Sequence, residues 1–313
     1  MRMHVVFGGG PLGIAVLREL NSRGLSARLV TRSGKPASAT KPAPYDWVSG
    51  DAADPQSARR ACVGASVVYH CAGLPYEQWA DLFPRMMEGI IAGAQAAGAK
   101  LVYGDNLYMY GKVGGPMTED TPYRPNSVKG QVRAQVAERL LAAHANGNVR
   151  ATIGRGSSFF GPGVLMSHVG DRLFPPALSG GTAVVLGNPG NLHTFTYIDD
   201  FGKALVLLGE RDEALGKAWH VPSPETLTHR AFIGRVYRLA GTKGRVLAIP
   251  RWLLSLLGLY SPLLREAKET LYQFEDDFVM DSSRYTATFG ASATPLDQAI
   301  RNTLEWYRSH YKR

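Results

Sequence analysis

Short apolar runs alternate with amphipathic segments along the first half of the chain. The run His4–Phe7 is followed at once by glycines, which is typical of a buried strand that ends in a turn. Helical spacing of apolar positions covers Glu77–Ala97 and Val128–Ala145. Further strands are predicted at Ser26–Val30, Asp46–Gly50, Ser66–His70, Lys100–Tyr103 and Val149–Ile153. This alternation predicts an α/β fold, a Rossmann-type doubly wound parallel sheet.

The alternation weakens after Gly161, and the pattern that follows is mixed. It predicts strands at Ala183–Leu186, Thr194–Ile198 and Trp219–Val221, a helix from Asp199, and further helices at Leu227–Ala240, Pro250–Leu257 and Leu263–Phe274. We therefore expect a dinucleotide-binding domain at residues 1–163, completed by about residues 191–222. Residues 164–190 and 223–313 are predicted to form a smaller C-terminal substrate-binding lobe.

Glycines at the end of the first strand have the spacing of a dinucleotide fingerprint. Gly8, Gly10 and Gly13 fit G-x-G-x-x-G, in which the glycines make the turn, admit a pyrophosphate and let helix pack on strand. The phosphates would meet backbone N–H groups at the start of the following helix. Three glycines alone also fit an ordinary tight turn, and the strand-turn-helix context favours the cofactor site.

The end of the second strand bears on the choice of cofactor. An NAD enzyme carries a carboxylate here for the adenosine ribose, whereas this chain has Thr31, Arg32 and Ser33. A guanidinium can bind a 2′-phosphate, and no carboxylate repels it. The sequence predicts NADP(H), with NAD(H) as the alternative if Arg32 is only a solvated surface charge.

Composition limits the function classes. Hydrophobic residues make up 45% and charged residues 19% of the 313 residues, as in a globular protein. The net charge is +9, but the basic residues are scattered, so we expect no nucleic-acid partner. Two cysteines form no disulfide framework and no metal motif, and the apolar run Trp252–Leu264 is too short for a membrane span. With a strand that starts near Met1, these features predict a cytoplasmic protein without a metal or a membrane anchor.

Several motifs resemble those of the atypical and extended short-chain dehydrogenase/reductases, the group that contains the NAD-dependent epimerase/dehydratases. The resemblance covers roughly residues 3–225 and rests on Gly50-Asp51, Val67–Gly73, Tyr110-Gly111 with Thr118–Pro122, Arg155–Gly163 and Phe195–Asp200. The glycine turn departs slightly, because Phe7 stands at the first glycine of the family's G-x-x-G-x-x-G. The resemblance and the topology together predict cofactor contacts from Gly8, Gly10, Pro11, Leu12, Gly13, Thr31, Arg32, Ser33, Asp51, Ala52, Cys71, Ala72, Gly73, Lys129, Gly156 and Ser158.

The family's catalytic serine, tyrosine and lysine are replaced in this chain. By alignment of the motifs, Asn106 takes the serine position, Lys129 the tyrosine position and Arg133 the lysine position. In this substitute triad, Lys129 would move the proton beside the Arg133 cation and Asn106 would polarise the substrate carbonyl. Alternatively, Lys129 contacts only the cofactor, and Tyr108 or Tyr103 in the same loop region is the proton donor.

The substrate evidence favours an apolar molecule over a sugar nucleotide. His193 stands where nucleotide-sugar members of the family carry an arginine for the diphosphate. Apolar residues are predicted to form the pocket wall, namely Leu74, Tyr76, Trp79, Phe159, Phe160, Met166 and the segment Trp252–Leu264. We expect an NADP(H)-dependent oxidoreductase for a small or medium-sized, largely apolar carbonyl-type substrate. The resemblance implies a homodimer as one option and leaves the oligomeric state open. The alternatives are a catalytically inactive NADP(H) sensor and a sugar-nucleotide epimerase or dehydratase.

Overall fold

A parallel sheet forms the centre of the chain. The computed structural model describes residues 3–34, 45–250, 252 and 268–310. In chain order the strands of the sheet are β1 (Met3–Phe7), β2 (Ala27–Thr31), β3 (Asp46–Ser49), β4 (Ala65–His70), β5 (Lys100–Asp105), β6 (Arg150–Arg155) and β11 (Ala218–His220). They lie in the order β11-β6-β5-β4-β1-β2-β3, and neighbouring strands are parallel. The Rossmann-type fold predicted from the sequence is confirmed.

Helices cover both faces of this sheet. On one face lie α1 (Pro11–Ser22) and α6 (Ile198–Glu210), whose apolar residues share a core cluster with the sheet. The other face carries α2 (Pro55–Ala61), α3 (Trp79–Ala97) and α4 (Val128–Ala145). Short 3₁₀ turns lie at Tyr76–Gln78, Tyr108–Tyr110 and Asp212–Ala214. Since both faces are covered, the central strands are buried, as their apolar runs require, whereas the edge strand β3 stays partly exposed.

The order of the strands reverses between β1 and β4. From β1 the chain moves outward to β2 and β3, then returns to place β4 on the other side of β1. The loops after β1 and β4 therefore diverge and leave a crevice at the carboxyl ends of these strands, where ligands bind in doubly wound sheets.

A second group of elements packs around its own apolar core. Its strands form three pairs, β10 (Phe195–Tyr197) with β7 (Ser158–Phe160), β12 (Leu227–Thr228) with β9 (Leu192–His193), and β13 (Arg245–Ile249) with β8 (Thr182–Leu186). The helices are α5 (Phe174–Ser179), α7 (His229–Ala240), α8 (Tyr272–Glu275), α9 (Ser283–Phe289) and α10 (Leu296–His310). The α9 helix reaches back to the main sheet, where Tyr285 and Phe289 contact Trp219.

The second half differs from the sequence prediction in several elements. Leu227 and Thr228 were expected in a helix but form β12, because they pair with β9. The helix α7 begins only after Thr228, which caps it by accepting the Ala231 N–H. The strands β7 and β13 and the helices α9 and α10 were not predicted. The expected helix Pro250–Leu257 and the run Trp252–Leu264 lie outside the described residues except for Pro250 and Trp252. No helix in the described part of the chain has the length and apolarity to cross a bilayer.

Candidate active site

The three glycines after β1 have different surroundings. A Cβ on Gly13 would lie 1.9 Å from the Gly8 carbonyl oxygen, and a Cβ on Gly8 would lie 2.6 Å from the backbone of Ala72. Gly8 also has φ of +108°, a conformation that favours glycine. A Cβ on Gly10, by contrast, would meet nothing within 4 Å in the described part of the chain. Gly8 and Gly13 therefore serve close packing, whereas Gly10 lies beside open space.

This open space lies at the start of α1 and beside the loop after β4. Gly10 is the N-cap of α1, so the first N–H groups of the helix have no partner within the helix. Across the crevice, Cys71 is buried and its N–H donates to the Phe7 carbonyl, while a Cβ on Gly73 would meet no described atom within 4 Å. The backbone at Gly10 and Gly73 thus leaves room for the pyrophosphate of a dinucleotide, next to the free N–H groups of α1.

The ends of β2 and β3 supply polar groups further along the crevice. Arg32 is exposed after β2, and no described residue forms an ion pair with its guanidinium. Asp51 follows β3, and its Oδ1 accepts the Ala53 N–H at 2.9 Å. Ala52 is buried beneath α3, where a Cβ on Gly89 would lie 2.1 Å from its carbonyl oxygen. The Arg32 guanidinium is thus available to a ligand, whereas Asp51 and Ala52 stabilise the turn after β3.

The loop after β5 carries Asn106 and Tyr108. The Asn106 Oδ1 accepts the Tyr108 N–H at 3.0 Å, which closes a short turn, and no described residue accepts from Asn106 Nδ2. The start of α4 packs on this turn, since a Cβ on Gly130 would lie 2.6 Å from the Tyr108 carbonyl oxygen. Ser127 caps α4 by accepting the Gly130 N–H. This packing places Lys129 next to the Asn106–Tyr108 turn.

Lys129 is buried, and its described neighbours include the Glu269 carboxylate and the Tyr76 ring. Its Nζ lies 3.0 Å from Glu269 Oε2 and 5.0 Å from the centre of the Tyr76 ring. The Tyr76 hydroxyl is 3.2 Å from that of Tyr108. The neighbouring Tyr108 phenol and burial raise the pKa of Tyr76 well above its usual range. Lys129 and Tyr108, both predicted from the sequence, thus lie in one cluster with Glu269 and Tyr76. The sequence analysis gave Glu269 no role and placed Tyr76 only in the apolar pocket wall.

Arg133, predicted to be the cation beside Lys129, is buried against aromatic rings in the interior. Its guanidinium carbon lies 4.3 Å from the centres of both the Trp79 and the Phe83 rings. Its Nη1 donates to the Tyr103 hydroxyl at 2.5 Å and to Asp105 Oδ1 at 3.1 Å. Tyr103 is fully buried, and burial raises its pKa above the usual range, so this phenol does not face the crevice. The guanidinium is thus engaged in the interior and is directed at Asp105 and Tyr103.

Asp105 connects two buried guanidiniums. Besides its contact with Arg133, its Oδ2 lies 3.5 Å from Arg155 Nε, an ion pair without a well-formed hydrogen bond. Arg155 is fully buried and donates to the hydroxyls of Tyr110, at 2.7 Å, and Tyr123. We call Arg133, Asp105 and Arg155 the buried charge cluster. The sequence signal for it was an aspartate directly before Asn106, at the end of a strand whose middle, Leu101–Tyr103, is apolar or aromatic.

The His193 region is structural. His193 Nδ1 lies 3.2 Å from the Gln273 carbonyl oxygen and Nε2 lies 2.9 Å from Ser158 Oγ. Burial and the neighbouring histidines His229 and His168 hold the pKa of His193 well below its usual range, so the ring is neutral. Ser158, predicted to contact the cofactor, is therefore engaged with His193. Gly156 packs on Phe201, where a Cβ would lie 2.7 Å from the ring.

Part of the predicted pocket wall is wrong. Phe160 is fully buried and packs on Phe174 and Phe232 in the core of the second group of elements. Trp79 is 6% exposed but packs on Tyr76 and Tyr108, so its place in the pocket wall stays a prediction. Met166 is 90% exposed. These side chains are long and apolar, and the sequence could not separate core positions from pocket positions. Tyr76 and Phe159 keep partial exposure.

Comparison with known proteins agrees with this geometry. The model of the NAD dependent epimerase/dehydratase family matches residues 4–221, which contain the glycine turn and all of the sheet except Met3. The chain belongs to this family. The matched residues include Gly10 and the loops after β1 and β4, between which this chain has its crevice. The placement of Lys129 and Arg133 at the positions of the family's tyrosine and lysine stays a prediction from the sequence.

Curated relatives in the family are distant. The chain is 23% identical over 299 residues to an Arabidopsis thaliana protein named 3beta-hydroxysteroid-dehydrogenase/decarboxylase isoform 2, covering 83% of this chain but only 51% of that protein. It is 25% identical to the Homo sapiens sterol-4-alpha-carboxylate 3-dehydrogenase, decarboxylating, covering 80% of this chain and 70% of the relative. It is 27% identical to the 2-alkyl-3-oxoalkanoate reductase of Stenotrophomonas maltophilia (strain K279a), covering 77% of this chain and 76% of the relative.

Solved structures of family enzymes share the fold. The UDP-glucose 4-epimerase of Thermotoga maritima, solved with UDP-glucose, superposes with a TM-score of 0.82 at 15% identity over 99% of this chain and 100% of the other. The UDP-glucose 4-epimerase of Thermus thermophilus, solved with NAD, superposes with a TM-score of 0.79 at 18% identity over 98% of this chain and 99% of the other. At these identities the likeness concerns the fold, and the chemistry has to be argued from the site.

Proposed function

We propose that this protein is an NADP(H)-dependent oxidoreductase of the atypical short-chain dehydrogenase/reductase class that acts on a small or medium-sized, largely apolar substrate with a carbonyl or hydroxyl group. The observation that carries the proposal is the open space at Gly10, next to the N-terminus of α1 and across from Gly73. Family membership and the NAD bound to a related epimerase support a nicotinamide dinucleotide at this place.

Arg32 is the reason to propose NADP(H) over NAD(H). Its exposed guanidinium follows β2, where an acidic residue would otherwise bind the ribose hydroxyls, and no described carboxylate neutralises it. A 2′-phosphate can accept two charge-assisted hydrogen bonds from such a group. The related structures bind NAD, so this preference is specific to the present chain and has to be tested.

The nicotinamide group, when bound, supplies or accepts a hydride. Asn106 Nδ2 is the donor in this chain that is suited to polarise a substrate oxygen, since its Oδ1 is already bonded to the Tyr108 N–H. Tyr108, whose hydroxyl contacts that of Tyr76 alone among the described residues, is a candidate for proton transfer at that oxygen. Lys129 faces a carboxylate in this structure, which favours a binding role over proton transfer.

The printed names of two relatives support a carbonyl or hydroxyl substrate. A 2-alkyl-3-oxoalkanoate reductase acts on a 3-oxo acid, and a sterol-4-alpha-carboxylate 3-dehydrogenase oxidises a substrate that carries a carboxylate. We carry over the reaction type, hydride transfer at a carbon near a carboxylate. A sugar-nucleotide substrate is less well supported, because His193 is buried and both ring nitrogens are engaged where a diphosphate-binding arginine would be needed.

A second candidate is an NADP(H) sensor without turnover. It is favoured by one observation, namely that Arg133 at the position of the family's lysine is held between Trp79 and Phe83 in the interior. Such a protein would bind the cofactor and give no product with any carbonyl compound.

Calorimetric titration of NADPH and NADH into wild-type protein and Arg32→Ala tests the cofactor proposal. We expect the variant to lose about 10- to 100-fold in affinity for NADPH, the range for a charge-assisted hydrogen bond, and to bind NADH almost unchanged. Arg308→Ala, which removes an exposed arginine of α10, is the matched control. Equal losses for both cofactors would contradict the role of Arg32. A turnover screen with aldehydes, ketones and oxo acids then separates the enzyme from the sensor.

A further inference from the structure

Two phenols from neighbouring loops meet at the carboxyl end of the sheet, the edge at which the crevice lies. Tyr76 belongs to the loop after β4 and Tyr108 to the loop after β5, and their hydroxyl oxygens are 3.2 Å apart. Both residues are partly exposed, as is Asn106, so a ligand in the crevice can reach this place. We call Tyr76 and Tyr108 the phenol pair.

Trp79 fixes the two phenols relative to each other. Its indole lies edge-on to the Tyr76 ring, with the ring centres 5.0 Å apart, and is stacked with the Tyr108 ring at 6.1 Å. Its Nε1 donates to the Leu74 carbonyl oxygen at 2.9 Å, which ties the loop after β4 to the start of α3. Because Trp79 is buried, the phenol pair is held in place before a substrate binds.

The direction of the hydrogen bond in the phenol pair follows from the candidate role of Tyr108 as proton donor. When the Tyr108 O–H points to a substrate oxygen, its own oxygen is free to accept, and Tyr76 is then the donor. Tyr76 suits this position because the neighbouring Tyr108 phenol and burial raise its pKa well above the usual range. It therefore keeps its proton and remains a neutral donor.

A guanidinium lies close to both phenols. The Arg133 guanidinium carbon is 4.3 Å from the centre of the Trp79 ring, with which Tyr108 is stacked. Its charge lowers the pKa of Tyr76 against the larger effects of Tyr108 and burial, and it also interacts electrostatically with Tyr108. A cation at this place favours negative charge on a phenol oxygen.

We propose that Tyr76 is a positioning residue for proton transfer by Tyr108: its hydroxyl donates to the Tyr108 oxygen and stabilises the phenolate that forms there. In the direction of reduction, NADPH is oxidised and the substrate carbonyl is reduced. The Tyr108 O–H bond breaks, a new O–H bond forms on the substrate oxygen, and the phenolate then takes up one proton from the solvent. This inference rests on the proposed function for the reaction, but the coupling of the two phenols can be measured without turnover.

Removal of the Tyr76 hydroxyl should lower the rate and not the affinity for substrate. The hydrogen bond from Tyr76 is stronger in the transition state, because only there does the Tyr108 oxygen carry negative charge. With the best substrate among aldehydes, ketones and oxo acids, we expect Tyr76→Phe to oxidise NADPH about 10- to 100-fold more slowly in a single turnover, with KM nearly unchanged. Tyr108→Phe should lose about 100- to 10,000-fold, the range for general acid catalysis.

The double variant separates positioning from packing. In the Tyr108→Phe background, Tyr76→Phe should cost less than about twofold, because no phenolate is left to stabilise. Tyr237→Phe removes a phenol that donates to the Gly181 carbonyl oxygen in the second group of elements, and as the matched control it should keep the wild-type rate. The same loss from Tyr76→Phe in both backgrounds would mean that Tyr76 only lines the crevice, and would overturn the proposal.

Fluorine NMR of protein with 3-fluorotyrosine at position 76 measures the coupling of the phenol pair directly. The fluorine makes the phenol more acidic, which brings its titration towards neutral pH. In Tyr108→Phe the pKa of this phenol should fall, because Tyr108 is the largest of the influences that raise it. Tyr272, Arg133 and Lys129, which also lie near Tyr76, are the same in both proteins. Identical titrations would mean that the two hydroxyls are not bonded, and would overturn the proposal.

The outcomes separate this inference from the proposed function. Coupled phenols in a protein that turns over no carbonyl compound contradict the oxidoreductase, and the proton transfer with it. Turnover that is indifferent to Tyr108→Phe supports the oxidoreductase and overturns the role of the phenol pair. Coupled phenols together with a Tyr76→Phe loss that requires Tyr108 support both.

Discussion

Acid should destabilise this protein below pH 6.5 because several histidines are buried in the neutral form. Burial lowers the pKa of His229 to about 4, and burial with the Arg155 charge lowers that of His220 to about 4. Burial and the Arg133 charge lower that of His70 to about 3. His70 and His229 also have ring nitrogens without hydrogen-bond partners among the described residues, so nothing there stabilises a charged ring.

The sign and size follow from proton linkage. The folded pKa of His229 lies below the unfolded value, so the unfolded chain binds more protons between about pH 6.5 and pH 4. The stabilisation is therefore complete above pH 6.5 and is lost as the pH falls. At pH 5 the loss for His229 alone is about 2 kcal/mol, from 1.36 kcal/mol for each unit between 6.5 and 5. This is a large fraction of the stability of a typical domain.

Urea unfolding followed by tryptophan fluorescence, at pH 7.5 and pH 5, measures this effect. In His229→Phe the loss of unfolding free energy between the two pH values should be about 2 kcal/mol smaller than in wild-type protein. Phenylalanine suits the position because the histidine ring lies among His193, Phe195 and Phe274. His310→Gln, which removes an exposed histidine, is the control. An unchanged pH dependence in His229→Phe would refute the reasoning.

The glycine turn gives two further predictions with opposite outcomes. Gly10→Val should leave urea unfolding of the free protein within about 1 kcal/mol of wild type, because its Cβ meets nothing within 4 Å in the described part of the chain, and should abolish binding of NADPH in calorimetry. Gly13→Ala should destabilise the fold by several kcal/mol, roughly the scale of severe overpacking, because its Cβ would lie 1.9 Å from the Gly8 carbonyl oxygen. A stable Gly13→Ala or a Gly10→Val that binds NADPH would contradict these assignments.

The elements that could be predicted from the sequence are those whose pattern is local. The sheet strands alternate with helices, and α4 runs from Val128 to Ala145 as its apolar spacing predicts. The glycine spacing likewise located the open space at Gly10. Short strands such as Leu227–Thr228 could not be predicted, because two residues are too few to show an alternation of apolar and polar positions. This strand forms by pairing with β9, which is distant in the sequence.

The polar interior could not be predicted for a different reason. Position along the chain placed Lys129 and Arg133 one helical turn apart and suggested a shared role, but it does not show which side chain meets which neighbour. Glu269 lies 140 residues from Lys129 and supplies its carboxylate. Arg133 instead faces Asp105 and two aromatic rings. The catalytic roles assigned to Lys129 and Arg133 from the sequence stay predictions.

Asp105 and Arg133 depend on each other, and the charge count of the buried charge cluster shows how. With Asp105 ionised, the cluster holds one negative and two positive groups. Asp105→Asn leaves two guanidiniums without a counter-charge, whereas Arg133→Met leaves Asp105 paired with Arg155. We therefore expect Asp105→Asn to cost about 3–5 kcal/mol in urea unfolding, and Arg133→Met less.

The double variant decides whether this charge argument holds. Asp105→Asn in the Arg133→Met background leaves one buried guanidinium instead of two, so its cost should be about 1–3 kcal/mol smaller than in wild-type protein. Tyr103 is bonded to Arg133 and loses that donor in both Met variants, so its contribution cancels from the cycle. Additivity within about 0.5 kcal/mol would mean that the two positions act independently. In that case Asp105 would not be the counter-charge that allows Arg133 to be buried beside Arg155.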